Sequence, residues 1–309
     1  MPVFAAFLTT VLFSLSAICG HRSVRLIGGT EANFWRITFA TFFLWIWSFF
    51  FGQGLQGSAL LIFLFSGVLG IGLGDVAYFQ ALPRLGPRLT LLIVQCLTAP
   101  FGALIEWIWL GTTLTAAQVL CAAIILGGVG IALAPDKHLS LTRKQWSIGI
   151  VAGVIAALGG AGGAVLSRRA YSALQSIGET VHPMDAGFQR VLGGCIISAI
   201  SLLIVKSRLV KQELGDASLR VTEETRNKWR RVWFWIVLNS LAGQTLGVSC
   251  MQKAFETTPT GIVLPIIATA PIVVIPMAYL FEGERPSVRS VVGGVIAVLG
   301  VIALVRFGN

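Results

Sequence analysis

The length and composition of the chain exclude most classes of protein. It has 309 residues, of which 55% are hydrophobic and 12% are charged, and its mean hydropathy is +0.83. Soluble domains carry about a quarter charged residues, so a lipid bilayer is the expected surroundings for most of these side chains. The composition excludes a soluble enzyme and a disordered chain. It also excludes a nucleic-acid-binding module, even though the net charge of +10 would be typical of one.

Apolar runs broken by glycine, proline or charge predict ten membrane-spanning segments. At roughly 20 apolar residues per crossing, a chain of this length accommodates about ten spans. Only helices and closed barrels satisfy their own backbone in hydrocarbon, and these runs are too long and too uniformly apolar for barrel strands. The predicted fold class is therefore an all-α integral membrane protein. In chain order the predicted spans are 2–20, 31–51, 58–82, 87–110, 115–134, 145–167, 184–205, 232–254, 259–281 and 287–306.

The two halves of the chain, 1–134 and 145–306, resemble each other on either side of a weakly apolar connection at 135–144. Because each half has an odd number of predicted spans, the second half must be inserted upside down relative to the first. Inverted repeats are typical of secondary transporters, whose substrate site lies between the halves near mid-membrane. The aligned segments are EANFWR (31–36) with DAGFQR (185–190), LGDVAYFQAL (73–82) with LGVSCMQKAF (246–255), TAP (98–100) with TAP (269–271), and GVGIAL (128–133) with GVIAL (300–304).

These motifs resemble the EamA family of the drug/metabolite transporter superfamily. The resemblance rests on GDVAYFQALPRLG at 74–86, on the two TAP motifs and on EGERPS at 282–287, and it covers nearly the whole chain. It implies two five-helix repeats, a small-molecule substrate, and export of a metabolite or drug-like solute. The chain departs from the family between the fourth and fifth helices, where 111–113 reads Gly-Thr-Thr instead of the usual Gly-Glu pair.

The predicted function is transport by alternating access in the plasma (inner) membrane. No ATP-binding motif is present in the sequence, so the energy must come from an ion gradient or from the gradient of the substrate. The alternative is an intramembrane enzyme or a structural, anchoring membrane protein, but the sequence has no HExxH, GxSxG or Walker loop. We therefore expect no catalytic residue, metal or cofactor. The expected partners are a small-molecule substrate and the lipid bilayer, not nucleic acid.

Two acids, Asp75 and Glu106, fall inside predicted spans. A carboxyl group in a bilayer is costly, so it normally faces a cavity or a partner and often marks a proton or substrate path. Asp75 is the deeper of the two, and its counterpart in the second half is Val248. It is either a proton-linked or substrate-contacting acid or a neutral carboxyl bonded to a neighbouring helix. Glu106 lies close enough to the end of helix four to snorkel.

Small and polar residues share one face of helix four, where Gln95 and Glu106 are spaced with Ala99 and Gly102 between them. This face is predicted to be either a cavity wall or a close packing surface. Helix eight carries two further polar candidates, Gln244 and Asn239, which either line the pathway or form hydrogen bonds between helices.

Two arginines, Arg36 and Arg190, occupy equivalent positions inside helices two and seven. Each follows an acid, Glu31 or Asp185, at about one turn. The expectation is an intrahelical ion pair or snorkelling, and a place in the substrate pathway is the alternative.

The basic residues predict an orientation in the membrane. Eighteen of the 23 lysines and arginines fall on the side of the loops that follow helices one, three, five, seven and nine. The positive-inside rule assigns that side, with the long loop 206–231, to the cytoplasm and both termini to the outside. The family resemblance implies the opposite orientation, with cytoplasmic termini.

Overall fold

The computed structural model describes residues 2–133, 142–213, 221–270, 272–274, 276–277 and 288–307, and all regular structure within them is helical. Among the described residues, seven helices are long and apolar enough to cross a membrane, and the other three predicted spans fall on shorter apolar helices. The prediction of an all-α protein is confirmed for these residues. The predicted connection at 135–144 lies mostly outside them.

The elements are named in chain order. In the first half they are α1 (Pro2–Ile27), α2 (Gly29–Phe51), α3 (Leu60–Gly67), π1 (Val68–Gly74, a π-helical segment), α4 (Asp75–Leu110) and α5 (Ala116–Leu133). In the second half they are α6 (Arg143–Ser176), α7 (Pro183–Glu213), α8 (Val221–Asn239), π2 (Ser240–Gly247, also π-helical), α9 (Val248–Phe255), α10 (Thr260–Ile267) and α11 (Val288–Phe307).

Several helices extend further than their apolar runs. The segment 206–231, which we predicted to be a loop, is helical at both ends, since α7 continues to Glu213 and α8 begins at Val221. Hydropathy decreases where charged residues begin, but lysine, arginine, glutamine and glutamate are good helix formers. The charge therefore marks the end of the apolar run and not the end of the helix.

The predicted connection between the third and fourth spans is helical as well. Helical hydrogen bonding continues through α4, yet the chain reverses direction within it. Gly160 of α6 lies against both Gly74, just before α4, and Thr98 within α4. A straight helix would separate these two residues by about 36 Å at 1.5 Å per residue. Residues 75–85 and 93–110 therefore form two limbs that pack along α6 in opposite directions.

Equivalent helices of the two halves pack against each other in antiparallel pairs. At one end of the α2–α7 pair, Lys206 Nζ lies 3.5 Å from Glu31 Oε1, and at the other end Ser48 donates a hydrogen bond to Asp185. The second pair is α5 with α11. The first helix of each half packs on the other half: α6 packs on α3 and π1, and α1 packs on α8 and π2.

Glycines allow these close helix contacts. In π1, Gly70 and Gly74 are four residues apart and lie against Gly163 and Gly159 of α6, which have the same spacing. Such small-xxx-small pairs let helix backbones approach in membranes. The contact brings π1, and Asp75 directly after it, close to α6.

The surface of the bundle is strongly apolar. Large side chains project outward from several helices, among them Phe50 at 69% exposure, Ile108 at 72% and Leu203 at 68%. Soluble proteins rarely expose continuous apolar surface of this kind. The lipid bilayer is the solvent that suits it.

Candidate functional site

The central feature of the molecule is an ion pair between α2 and the start of α4. Arg36 Nη2 lies 2.6 Å from Asp75 Oδ2, and the two side chains are 9% and 23% exposed. A distance this short is typical of a charge-assisted hydrogen bond. The predicted pairing of Arg36 with Glu31 is wrong, because Arg36 reaches across to Asp75 while Glu31 pairs with Lys206.

Arg36 is held in place by its own helix. Asn33 Oδ1 accepts hydrogen bonds from Nε and Nη2 of Arg36, both at 3.0 Å. The guanidinium also lies 4.9 Å from the centre of the Phe79 ring, within the range of a cation–π contact. These contacts fix the direction of the charged fork toward Asp75 before any ligand arrives.

The second half of the chain also reaches Asp75. Gln244, in π2, donates from Nε2 to Asp75 Oδ2 at 3.2 Å. The oxygen of the Gln244 amide is buried and has no hydrogen-bond partner in the part of the chain that the structure describes. Three of the predicted pathway residues therefore lie together, because Arg36 and Gln244 both contact the same carboxylate oxygen of Asp75. Asp75 therefore joins the two halves.

Both π-helical segments lie beside this cluster at repeat-equivalent positions. π1 ends at Gly74 and π2 at Gly247, which are aligned in the LGDVAYFQAL and LGVSCMQKAF segments. π-helical turns inside α-helices are rare and occur frequently at functional sites. Here they position Asp75 and Gln244 between the halves.

Arg190 lies in a second polar cluster, which adjoins π1 at Gly70. Its Nη1 donates to Ser167 Oγ at 2.7 Å and to the Gly163 carbonyl at 3.1 Å. Ser167 also bonds to Ser66, and it accepts a hydrogen bond from Gln252. The predicted pairing of Arg190 with Asp185 is also wrong. Asp185 instead accepts hydrogen bonds from Ser48 and from backbone amides of the loop after α2.

Glu106 is buried at the far end of α4 and does not snorkel. Its carboxylate accepts hydrogen bonds from the backbone amide of Thr260, at 2.6 Å, and from the Thr260 hydroxyl. Thr260 begins α10, so Glu106 caps that helix and links the two halves. Arg168 Nε lies 3.9 Å from the other carboxylate oxygen. This cluster is separate from Asp75.

Two further predicted residues lie outside the central cluster. Asn239 is 1% exposed and accepts a 2.6 Å hydrogen bond from Ser16 of α1, which is the interhelical role we considered for it. Gln95 is partly buried on α4 and forms no hydrogen bond with the described part of the chain. Asn33 and Phe79 were missed, although Asn33 precedes Arg36 by three residues and so shares its helix face.

These features define a multi-pass helical membrane protein with a charged cluster buried between its two halves. The sequence profile described as the EamA-like transporter family matches residues 1–134 and 147–306. The chain belongs to the EamA-like transporter family, and the resemblance noted in the sequence is confirmed.

Solved structures share this fold. One crystal structure of a protein matches with a TM-score of 0.74 and 16% sequence identity, over 99% of this chain and 96% of that chain. At this identity the likeness extends to the fold alone. A comparison with curated proteins found no match.

Proposed function

We propose that this protein exports a small metabolite or drug-like solute by alternating access, using an ion gradient. The observation that carries the proposal is the convergence of Arg36 and Gln244, one from each half, on Asp75 Oδ2. A rocking motion of one half against the other must alter the contact between Asp75 and Gln244. Protonation of Asp75, or binding of a substrate beside it, would therefore change the balance between two arrangements of the halves.

The proposed architecture is ten spans in two inverted repeats, 1–134 and 145–306. Its support is the antiparallel packing of equivalent helices. Along the α5–α11 pair, Ile125 lies against Gly300 and Ala132 against Gly293, so the residue numbers run in opposite directions. Two equivalent helices related by a half-turn in the membrane plane must run antiparallel, as these do and as α2 and α7 do.

Asp75 is proposed as the acid that contacts the proton or the substrate. The test is solute flux driven by a pH gradient in proteoliposomes containing the full chain. Asp75→Asn keeps the shape of the side chain but removes its titration, so pH-driven net flux should fall while exchange of solute for solute survives. Glu179→Gln, at an exposed position, is the matched control. Identical flux for Asp75→Asn and the parent between about pH 5 and 8 would assign Asp75 a structural role.

The proposed location is the plasma membrane, with the 206–231 segment in the cytoplasm and the termini outside. The support is the excess of lysine and arginine on that side. Single cysteines introduced by Ser140→Cys and Ser218→Cys in a cysteine-free background should resist impermeant thiol reagents in intact cells. Labelling before permeabilisation would reverse the orientation and agree with cytoplasmic termini.

A further inference from the structure

The buried arginines carry more charge than the acid beside them balances. Arg190 is 3% exposed, and its hydrogen bonds go to neutral acceptors, a serine hydroxyl and a backbone carbonyl. No carboxylate in the described ranges lies within ion-pair distance of it. Its Nε is buried and has no hydrogen-bond partner among the described residues. The charge of Arg190 is therefore not compensated by direct contact.

Repeat symmetry is broken at two positions that bear on this charge. Asn33 and Asp75, which accept hydrogen bonds from Arg36, align with Gly187 and Val248 in the second half. Arg190 therefore lacks both of the groups that its counterpart has. The helices of the second half pack without them, so the fold does not require this pair of groups in each repeat. Their presence in one half only points to ligand recognition.

Both arginines adjoin the same segment of backbone. Arg190 Nη2 lies 2.6 Å from the position that a Cβ atom on Gly70 would occupy, inside π1, and π1 ends immediately before Asp75. Arg36 pairs with Asp75 directly after π1, and Arg190 reaches the backbone of π1 itself. Two guanidinium groups and one carboxylate leave one positive charge in excess. An uncompensated charge in the bilayer interior is costly, so this region favours an additional anion.

We propose that Arg36, Asp75 and Arg190 together form a site that binds an anionic group of the solute, and that the transported substrate is a monocarboxylate. The inference rests on the proposed transport function and narrows its substrate class. Arg36 is the contact residue, since its guanidinium donates charge-assisted hydrogen bonds to carboxylates, as it does to Asp75, and Asn33 keeps it oriented. The Asp75 side chain beside Arg36 is 23% exposed, so this ion pair forms the side of the site that a solute can reach. Arg190 contributes the fixed charge that balances the bound anion.

The test compares matched solutes on the purified full chain. Benzoate and phenylacetate are set against benzamide and phenylacetamide, with benzylamine and sodium chloride as further arms at equal ionic strength. Thermal stabilisation in detergent gives the half-saturating concentration, and flux into proteoliposomes gives transport. The two carboxylates should stabilise the protein and enter proteoliposomes faster than protein-free liposomes, whereas the amides, the amine and chloride should neither stabilise it nor show protein-dependent entry.

Variants then test the origin of the preference. Arg190→Gln should raise the half-saturating concentration of benzoate at least about tenfold, equivalent to about 1.4 kcal/mol. Arg190→Lys keeps the charge and should stay within about threefold of the parent. Arg306→Gln removes one positive charge at an exposed position of α11 and is the matched control, with no effect expected.

The failures of the two proposals are distinguishable. Equal stabilisation and flux with benzamide or benzylamine would overturn the monocarboxylate inference and leave a transporter. An equal effect of chloride would show a non-specific anion response and would also overturn it. An unchanged benzoate preference in Arg190→Gln would overturn the role of Arg190. A folded protein that moves none of these solutes would overturn the monocarboxylate inference without contradicting the transport of another solute. The comparison of solutes on the parent protein needs no variant, so it decides the inference even where Arg190→Gln does not fold.

Discussion

The glycine contact between α6 and π1 can be tested by two adjacent substitutions. A Cβ atom added to Gly163 would lie 2.7 Å from the Ser66 carbonyl oxygen and 2.8 Å from Gly70 Cα. Both neighbours are backbone atoms, so the helices themselves must move apart. Overpacking of this kind costs about 1–3 kcal/mol. Gly163→Ala should therefore destabilise the protein by up to about 2.5 kcal/mol once the helix propensity gained with alanine, about 0.5–1 kcal/mol, is subtracted.

Gly162→Ala is the matched control on the same helix. Its Cβ atom would lie 3.6 Å from Leu69 Cδ1, which is ordinary van der Waals contact. The gain in helix propensity should then prevail and raise stability by up to about 1 kcal/mol. Thermal unfolding of the two variants in the same detergent, followed by circular dichroism, should shift in opposite directions. A Gly163→Ala protein as stable as Gly162→Ala would refute the argument from close packing.

Two further predictions concern links between the halves, and a third concerns the orientation of Arg36. Asp185→Asn places an amide NH2 group opposite the backbone N–H groups of Gln53 and Gly54, which donate hydrogen bonds to the carboxylate at 3.0 and 3.2 Å. The free energy of unfolding, measured by thermal unfolding, should therefore fall by about 1–3 kcal/mol. Glu106→Leu removes the cap of α10 and should lower the free energy of unfolding of the protein by about 1–3 kcal/mol. Glu106→Gln keeps one acceptor for Thr260, so its loss of stability should be smaller. Equal losses of stability in the two variants would argue against capping. Asn33→Ala frees Arg36 and should lower flux in proteoliposomes with little change in unfolding temperature, and unaltered flux would contradict its positioning role.

Most of the helical architecture follows from sequence because the bilayer imposes simple rules. An apolar run must be long enough to cross hydrocarbon, and its backbone must be satisfied within the helix. The repeat was recognisable because aligned residues such as Arg36 and Arg190 have the same position in their helices. The helix ends were less predictable. Charged residues such as those after Ser207 end the apolar run, but they are good helix formers, so the helix continues beyond the run.

The partners of the arginines could not be taken from proximity in sequence. Glu31 and Arg36 are five residues apart, as are Asp185 and Arg190. At 3.6 residues per turn, such a pair lies on different helix faces, whereas residues three or four apart share one. Arg36 accordingly meets Asn33 on its own face and Asp75 on another helix. The latter contact depends on how helices pack, which a hydropathy pattern does not specify.

The two π-helical segments change how the cluster responds to a change in chain length. A π-helical turn, bonded from residue i to i+5, contains about one residue more than an α-helical turn. Removing one residue between Val68 and Gly74 would therefore let π1 become α-helical while Asp75 kept nearly the same direction toward Arg36. Removing one residue from α3 would instead turn everything after it by about 100° and direct Asp75 away from Arg36. Single-residue deletions should therefore be better tolerated inside π1 or π2 than in the α-helical turns beside them.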